Sequence, residues 1–308
     1  MRVLLYEWCS SGGLVEDAPT IAREGRMMLE ALAADAMKGP GLEIAVLVDA
    51  SRPLDLPPRS KQLAVAPGDD RAALVAAATH ADWTLIVAPE SNGILLDRVR
   101  AVRSAGGRVL APADRVIATA ADKQLTIDTL AARGLPVPAG RSLAAGEAMP
   151  AGFRLPAVCK ARDGCGGESL QIIGRFDATP VTGPARLETV AAGTPVGVSL
   201  LCGAAATVAL PPMRQRFTAG PTPRYLGSDL LTDEPAAERA KALALRVAAA
   251  LDADAGWLGV DLILGHRPDG RDDRVLEVNP RLTTSFVGLA TLFASSLVAA
   301  MIEAAMGR

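Results

Sequence analysis

The sequence predicts an α/β protein in which a doubly wound parallel sheet is followed by a two-part α+β unit, and three stretches carry that prediction. Residues 2–8 (RVLLYEW) form a short apolar strand that runs into a Gly-containing loop and then a helix, the opening of an open α/β sheet. Residues 155–174 (LPAVCKARDGCGGESLQIIG) read as strand, glycine loop, strand. Residues 256–285 (GWLGVDLILGHRPDGRDDRVLEVNPRLTTS) read as a second hairpin, with acids set among apolar neighbours.

The tract CSSGGLVEDAP after the first strand ends near Thr20, which predicts a cap for a helix through about Lys38. IAVLVD (44–49) and WTLIVAP (83–89) repeat the strand signal, KQLAVAP (61–67) gives a weaker one, and RVLAP (108–112) closes the unit. Ala-rich segments near 69–81 and 93–105 are helical, so residues 1–113 read as one doubly wound domain. Ligands of such sheets collect at the carboxyl ends of the strands. That makes Glu7, Ser10, Ser11, Gly12 and Gly13 one candidate substrate loop and Glu90, Ser91 and Asn92 another, against the plainer alternative that these residues only turn the chain. No GxGxxG follows the first strand, and neither GxxxxGKS nor GxxxxGKT occurs, so neither of those phosphate-binding loops is predicted.

Residues 114–187 hold a second unit. Asp122 caps a helix, KQLTIDTLAARG, that ends at Gly134. Lys123 then sits in the first turn, where a cation is unfavourable with the helix dipole unless an anion lies nearby. Lys160 interrupts the apolar strand before Gly164, Gly166 and Gly167; amides free of side chains can approach phosphate oxygens, with the ammonium as a point charge beside them. Residues 188–308 follow as a third unit, with a helix at about 235–251, the acid hairpin and a final helix over about 285–306.

The acid hairpin is the most informative stretch. If its register is symmetric about Asp269, Asp261 faces Glu277, and Asn279 shares the face of Glu277. Two carboxylates on one sheet face repel unless a cation or a proton lies between them. Hard oxygen donors suit magnesium better than zinc, and magnesium keeps positions open for phosphate oxygens. The alternative for an arbitrary hairpin is a solvated turn, which the apolar flanks here disfavour.

Composition narrows the partners. At 308 residues and net charge −2, the chain suggests two or three compact units and no nucleic-acid surface. Its apolar residues are broken by charges, with no run of about 18 that would span a bilayer; the N-terminus enters a strand directly, and a cytoplasmic location is expected. Cys9, Cys159, Cys165 and Cys202 lack CxxC spacing, so neither zinc nor a disulfide framework is predicted. With only His80 and His266 present, histidine-based nucleophilic catalysis has little to work with.

DLIL followed by LEVNPRLTTS resembles the metal-binding end of the ATP-grasp ligases, where an acid, then a glutamate and an asparagine in an E-x-N-P-R context, hold magnesium. The order Asp122-Lys123, Lys160, glycine loop, Asp261, Glu277, Asn279, Arg281 is similar to an ATP-grasp core over essentially the whole chain. The resemblance implies an ATP-grasp architecture: an N-terminal domain (1–113), a central subdomain with the glycine loop (114–187) and a C-terminal subdomain with the metal site (188–308), the last two forming a nucleotide clamp. It implies ATP held by Lys123, Lys160, Gly164, Gly166 and Gly167, and adenine on the backbone of Glu188, Thr189, Val190 and Ala191. It also implies magnesium or manganese on Asp261, Glu277 and Asn279, and phosphoryl transfer served by Arg281 and Lys160. Ala192 stands where relatives often carry an acid, so no ribose contact is assigned.

Within that superfamily, YEWCSSGGL, APESNGIL, ADKQLTIDTLAARGLPVP, RYLGSDL and LEVNPRLTTSF together look closest to the tyramine–glutamate ligase branch of methanofuran and methylofuran biosynthesis. This resemblance implies an amide formed between glutamate and the amine of tyramine or tyrosine through an acyl phosphate, with ADP and phosphate released. Gln215 and Tyr225 join the two loops as substrate contacts, and a homodimer is the expected assembly. Another carboxylate–amine ligase of the dipeptide type, or a nucleotide-binding regulatory protein without turnover, remain the alternative readings.

Overall fold

Alternation of side chains along the first strands decides how the N-terminal sheet is covered. The structure, a computed structural model, describes residues 1–14, 18–52, 54–164 and 170–307. Strands β1 (Arg2–Glu7), β2 (Glu43–Asp49), β3 (Lys61–Val65) and β4 (Trp83–Val87) form a parallel sheet in the order β3-β2-β1-β4. Val3 and Leu5 pack with helix α1 (Pro19–Ala36) on one face, while Leu4 and Tyr6 pack with α2 (Asp70–Ala78) and α3 (Ile94–Ser104) on the other. Burial on both faces is what makes these strands continuous apolar runs. The expected fifth strand at 108–112 is a single bridge, Thr84 to Val109, because Gly106 and Gly107 precede it and Pro112 ends it. Helix α1 starts at Pro19 on an Ala18 cap instead of a Thr20 cap, since proline at the first position is already in helical geometry.

Two antiparallel sheets follow. Helices α4 (Asp114–Ala121) and α5 (Lys123–Ala132) lead into a small sheet of β5 (Gly140–Leu143), β6 (Ala157–Ala161), β7 (Gln171–Ile173) and β8 (Ala185–Thr189), ordered β5-β8-β6-β7. A larger sheet runs β12-β11-β9-β13-β14 with β10 beside β9, from β9 (Thr194–Cys202), β10 (Thr207–Ala209), β11 (Met213–Phe217), β12 (Tyr225–Leu230), β13 (Gly256–Leu264) and β14 (Arg274–Asn279). One face of that sheet, with Val196, Val198, Leu200, Leu258, Val260 and Leu262, is buried against α6 (Glu234–Ala250). Period-two alternation therefore turns Asp261, Glu277, Asn279 and Gln215 to the opposite face.

The single C-terminal helix expected over 285–306 is two helices, α7 (Ser285–Leu292) and α8 (Leu297–Ala305), set at 95°. Ser296 makes the break: its hydroxyl accepts from the Ala299 amide as the α8 cap and donates to Asp35 of α1. Phe286, Leu289, Val298, Met301 and Ile302 then share one core with the first sheet and with Trp257 of β13, which fixes the N-terminal sheet against the large one. Among the described residues, no single helix is long and apolar enough to cross a membrane.

Candidate active site

The site is built on the β13–β14 pair. Asp261 pairs with Glu277 and Gly259 with Asn279, the register symmetric about Asp269. Beyond Asp261 the register slips, with Leu262 opposite Val275, so Leu276 lies in a bulge. A bulge releases a residue from the ladder, and here the Leu276 carbonyl accepts a hydrogen bond from Lys160 Nζ at 3.1 Å. The irregularity thus ties the small sheet to the acid hairpin.

Asp261 accepts from Gln215 Nε2 (2.7 Å) and Asn279 Nδ2 (2.9 Å), and Glu277 is bridged to Lys123 Nζ at 2.8 Å. Burial, reinforced by the facing Glu277 carboxylate, pushes Asp261 up to about 6. Burial acts on Glu277 in the same direction, but Lys123 and Lys160 outweigh it and hold that carboxyl below the usual range. Glu277 therefore has a directly bridged protein cation, whereas Asp261 is met by two neutral amides and only weakly by the more distant Lys160, which leaves room for a proton or an ion. Among the described residues, no group of three or more His, Cys, Asp or Glu side chains forms a metal cluster. The donor set is instead two carboxylates and the Asn279 amide, whose oxygen turns inward on half a rotation. Hard oxygens in that number fit magnesium with its remaining positions open to phosphate.

Lys123 reaches this face because Asp122 caps α5, accepting from the amides of Gln124 and Leu125, and places Lys123 at the first helical position. Its ammonium also donates to the carbonyl of Gly164, the described start of the glycine loop. Arg162 pairs with Asp122, whose partial burial is overcome by that hydrogen bond, so the carboxyl lies below its ordinary value. Gly166 and Gly167 lie outside the described residues.

Lys160 is not open to solvent. Its ammonium meets Glu188 Oε1 at 2.7 Å, and the other Glu188 oxygen accepts from Arg186 Nε at 2.7 Å. Arg186 further donates to Gln124 and to the Pro138 carbonyl. The three side chains of this triad are all less than a tenth exposed. For the expected adenine segment, the amides of Thr189 and Val190 already donate to Ala139 and Pro156, so only carbonyls there and Ala191 are left for a base. Glu188 serves that segment through the fold, because its carboxylate is held by the two cations.

The first-strand loop departs most from expectation. Glu7 is buried and turns its carboxylate back on its own loop, accepting from the Cys9 and Ser10 amides; burial raises its pKa. Ser11 is buried and donates to Leu47, while the carbonyls of Ser10 and Gly12 accept from Asp49 and Gly68. A Cβ on Gly13 would lie 2.1 Å from the Trp8 ring. These residues, expected at a substrate, close the end of the sheet instead, because the hydrogen-bonding groups of a tight loop satisfy one another first. The second loop does reach the acid hairpin: Glu90 Oε2 meets Arg281 at 2.9 Å, and the amide of Asn92 donates to Asp163. Gln215 lies on the acids, whereas Tyr225 packs edge-on with Phe217 (5.7 Å) at the outer strand. Sequence reasoning missed Arg186, Arg162 and Asp163. Only the interruption of an apolar strand at Arg186 could have signalled one of them.

The raised Asp261 carboxyl gives a prediction for metal-free protein. Folded Asp261 binds its proton more tightly than unfolded Asp261, so its contribution to stability is full below 3.8 and is lost as pH rises through about 6. Glu277 has the opposite sign, its contribution failing only as pH falls below the ordinary carboxyl range. Asp261→Asn is therefore expected to melt at least as high as wild type at about pH 7.5 in chelator, with a flatter profile between about pH 4 and 6. Calorimetric melts across that range check this, and a variant several degrees less stable at the upper pH contradicts it.

A sheet face that opposes two acids to two lysines, with the Gly164 carbonyl on one of them and a doubly wound domain alongside, fits a phosphate-handling ligase of the ATP-dependent class. The ATP-grasp domain profile matches residues 120–285 and the pre ATP-grasp 3 domain profile residues 42–117, so the chain belongs to the ATP-grasp family. Solved structures agree in fold. A protein of the ATP-grasp superfamily from Archaeoglobus fulgidus is 23% identical with a TM-score of 0.71, covering 99% of this chain and 89% of its own. D-alanine–D-alanine ligase from Bacillus anthracis is 16% identical with a TM-score of 0.67, covering 99% and 97%. L-amino acid ligase from Bacillus licheniformis is 15% identical with a TM-score of 0.67, covering 98% and 73%. No curated protein sequence matches the chain.

Proposed function

We propose that the protein joins a carboxylate of glutamate to the amine of tyramine or tyrosine, consuming ATP and releasing ADP and phosphate, in methanofuran or methylofuran biosynthesis in the cytoplasm. The observation that carries the ligase reading is the 2.8 Å contact of Lys123 with Glu277 on the face that also holds Asp261, Asn279 and the Lys160 contact. ATP and a carboxylate are both anions, and cations must stand between them before phosphoryl transfer. Asp261, Glu277 and Asn279 would hold magnesium, which supplies charge neutralisation on the transferring phosphate when bound. Lys123 and Lys160 would exchange their carboxylate partners for phosphate oxygens. Arg281 would steady either the transferring group or the oxyanion formed when the amine attacks the acyl phosphate. The glycine loop, with Gly164 at its described edge, would exclude water from that mixed anhydride. In this division of labour residues 1–113 supply substrate contacts, and 114–187 and 188–308 the two halves of the clamp.

The substrate pair rests on the short motifs YEWCSSGGL, APESNGIL and RYLGSDL. Mass spectrometry of a mixture of protein, ATP, magnesium, glutamate and tyramine is expected to show a glutamyl-tyramine amide with stoichiometric ADP. ADP release that requires a second amino acid in place of tyramine would favour a dipeptide-type ligase and sink the tyramine assignment.

A further inference from the structure

We propose that Glu90 is a specificity-determining residue whose second carboxylate oxygen seats the ammonium group of the amino acid that is activated. This rests on the ligase reading above. Glu90 follows β4 at the carboxyl edge of the parallel sheet, where the strand order places a ligand crevice. Only 6% of it is exposed, and Oε2 is taken by Arg281, two residues beyond Asn279. Oε1 is fully buried and has no hydrogen-bond partner among the described residues.

An ionised carboxylate is acceptor-only, and a buried oxygen of such a group is rarely left unmet unless a ligand meets it. The first-loop acid shows the contrast: each oxygen of Glu7 already accepts from an amide of its own loop, so neither is left without a donor. The Glu90 loop is also fixed in place. Asn92 and Gly93 are left-handed (φ 55 and 67), the Gly93 amide donates to the Glu90 carbonyl, and the Asn92 amide holds Asp163 beside the glycine loop. A carboxylate so anchored cannot turn away to find water, which is the preorganisation a binding group needs. With one oxygen on a guanidinium and the other buried without a partner, the matching donor is a compact cation with several N–H groups, an alkylammonium.

The test compares amino acids with their des-amino analogues in wild type and in Glu90→Gln. For glutamate and glutarate, Glu90→Gln is expected to raise the KM of glutamate about 10- to 100-fold and to leave that of glutarate within about twofold, the loss of one charged hydrogen bond. Equal losses for both compounds would make Glu90 only a positioning residue for Arg281 and overturn the proposal, as would no change. Calorimetric binding to the wild-type protein gives a readout independent of the variant's folding. In the presence of ADP, glutamate is expected to bind at least about tenfold tighter than glutarate or N-acetylglutamate, and equal affinities overturn the inference. If wild type ignores glutamate but uses another amino acid, the glutamate assignment fails. The same comparison on that acid then decides Glu90 separately, and binding of no amino acid overturns both.

Discussion

Replacing Glu277 by glutamine is expected to lower magnesium-dependent ADP formation by roughly a thousandfold while the protein remains folded. Glutamine keeps the shape of the side chain and an oxygen for Lys123, yet it removes one of the two negative charges facing the proposed ion. Asp261 loses a repelling neighbour and should ionise more readily in the variant, yet a single carboxylate with the neutral amides of Gln215 and Asn279 supplies half the negative charge of the pair. Two consequences separate this from general damage. Lys123 is 9% exposed but keeps the glutamine oxygen and the Gly164 carbonyl as acceptors, so the substitution should cost no more than about 1–3 kcal/mol. ATP binding without metal should survive, since Lys123 is freed for phosphate and Lys160, held by Glu188 and the Leu276 carbonyl, is untouched by the substitution. ADP release as a function of magnesium, read beside the melting temperature and metal-free ATP binding, checks all three, and wild-type turnover in the variant refutes the metal assignment.

What could be read in the chain divides by sequence separation. The acid hairpin was legible because both of its determinants are local: apolar neighbours on either side of Asp261 and Glu277, and the turn chemistry of Pro268, Asp269 and Gly270 that sets the register. The Asp122 cap, which aims Lys123, was legible for the same reason. The bulge at Leu276 was not, because it lies inside the hairpin ladder with no Gly or Pro to mark it. Nor was the pairing of Glu90 with Arg281, 191 positions apart, which only the packing of α7 and α8 against the first sheet brings about. In the first loop the residue types were read correctly as polar, but Glu7 and Ser11 face inward. A polar loop residue signals a ligand only after the loop's own amides and carbonyls have been accounted for. The break between α7 and α8 was hidden because Ser295 and Ser296 interrupt the apolar run without a Gly or Pro; it depends on Asp35, 261 positions before the Ser296 that it accepts from.

The buried triad of Lys160, Glu188 and Arg186 gives the largest expected effect on stability. Glu188→Gln leaves two cations, at 6% and 1% exposure, without an anion between them. Removing one member of such a set costs about 3–5 kcal/mol, because the charges that stay behind have lost their water and their partner. The thermal midpoint should fall by roughly 10 °C. Arg186 retains Gln124 and Pro138, and Lys160 retains the Leu276 carbonyl, so the sheet is expected to hold its topology. A phosphate brought to Lys160 would supply the missing anion, so ATP should raise the melting temperature of the variant more than that of wild type. Thermal melts with and without ATP read both effects. A midpoint unchanged from wild type would show that the triad does not bear on stability, and a variant that ATP stabilises no further would remove Lys160 from the phosphate site.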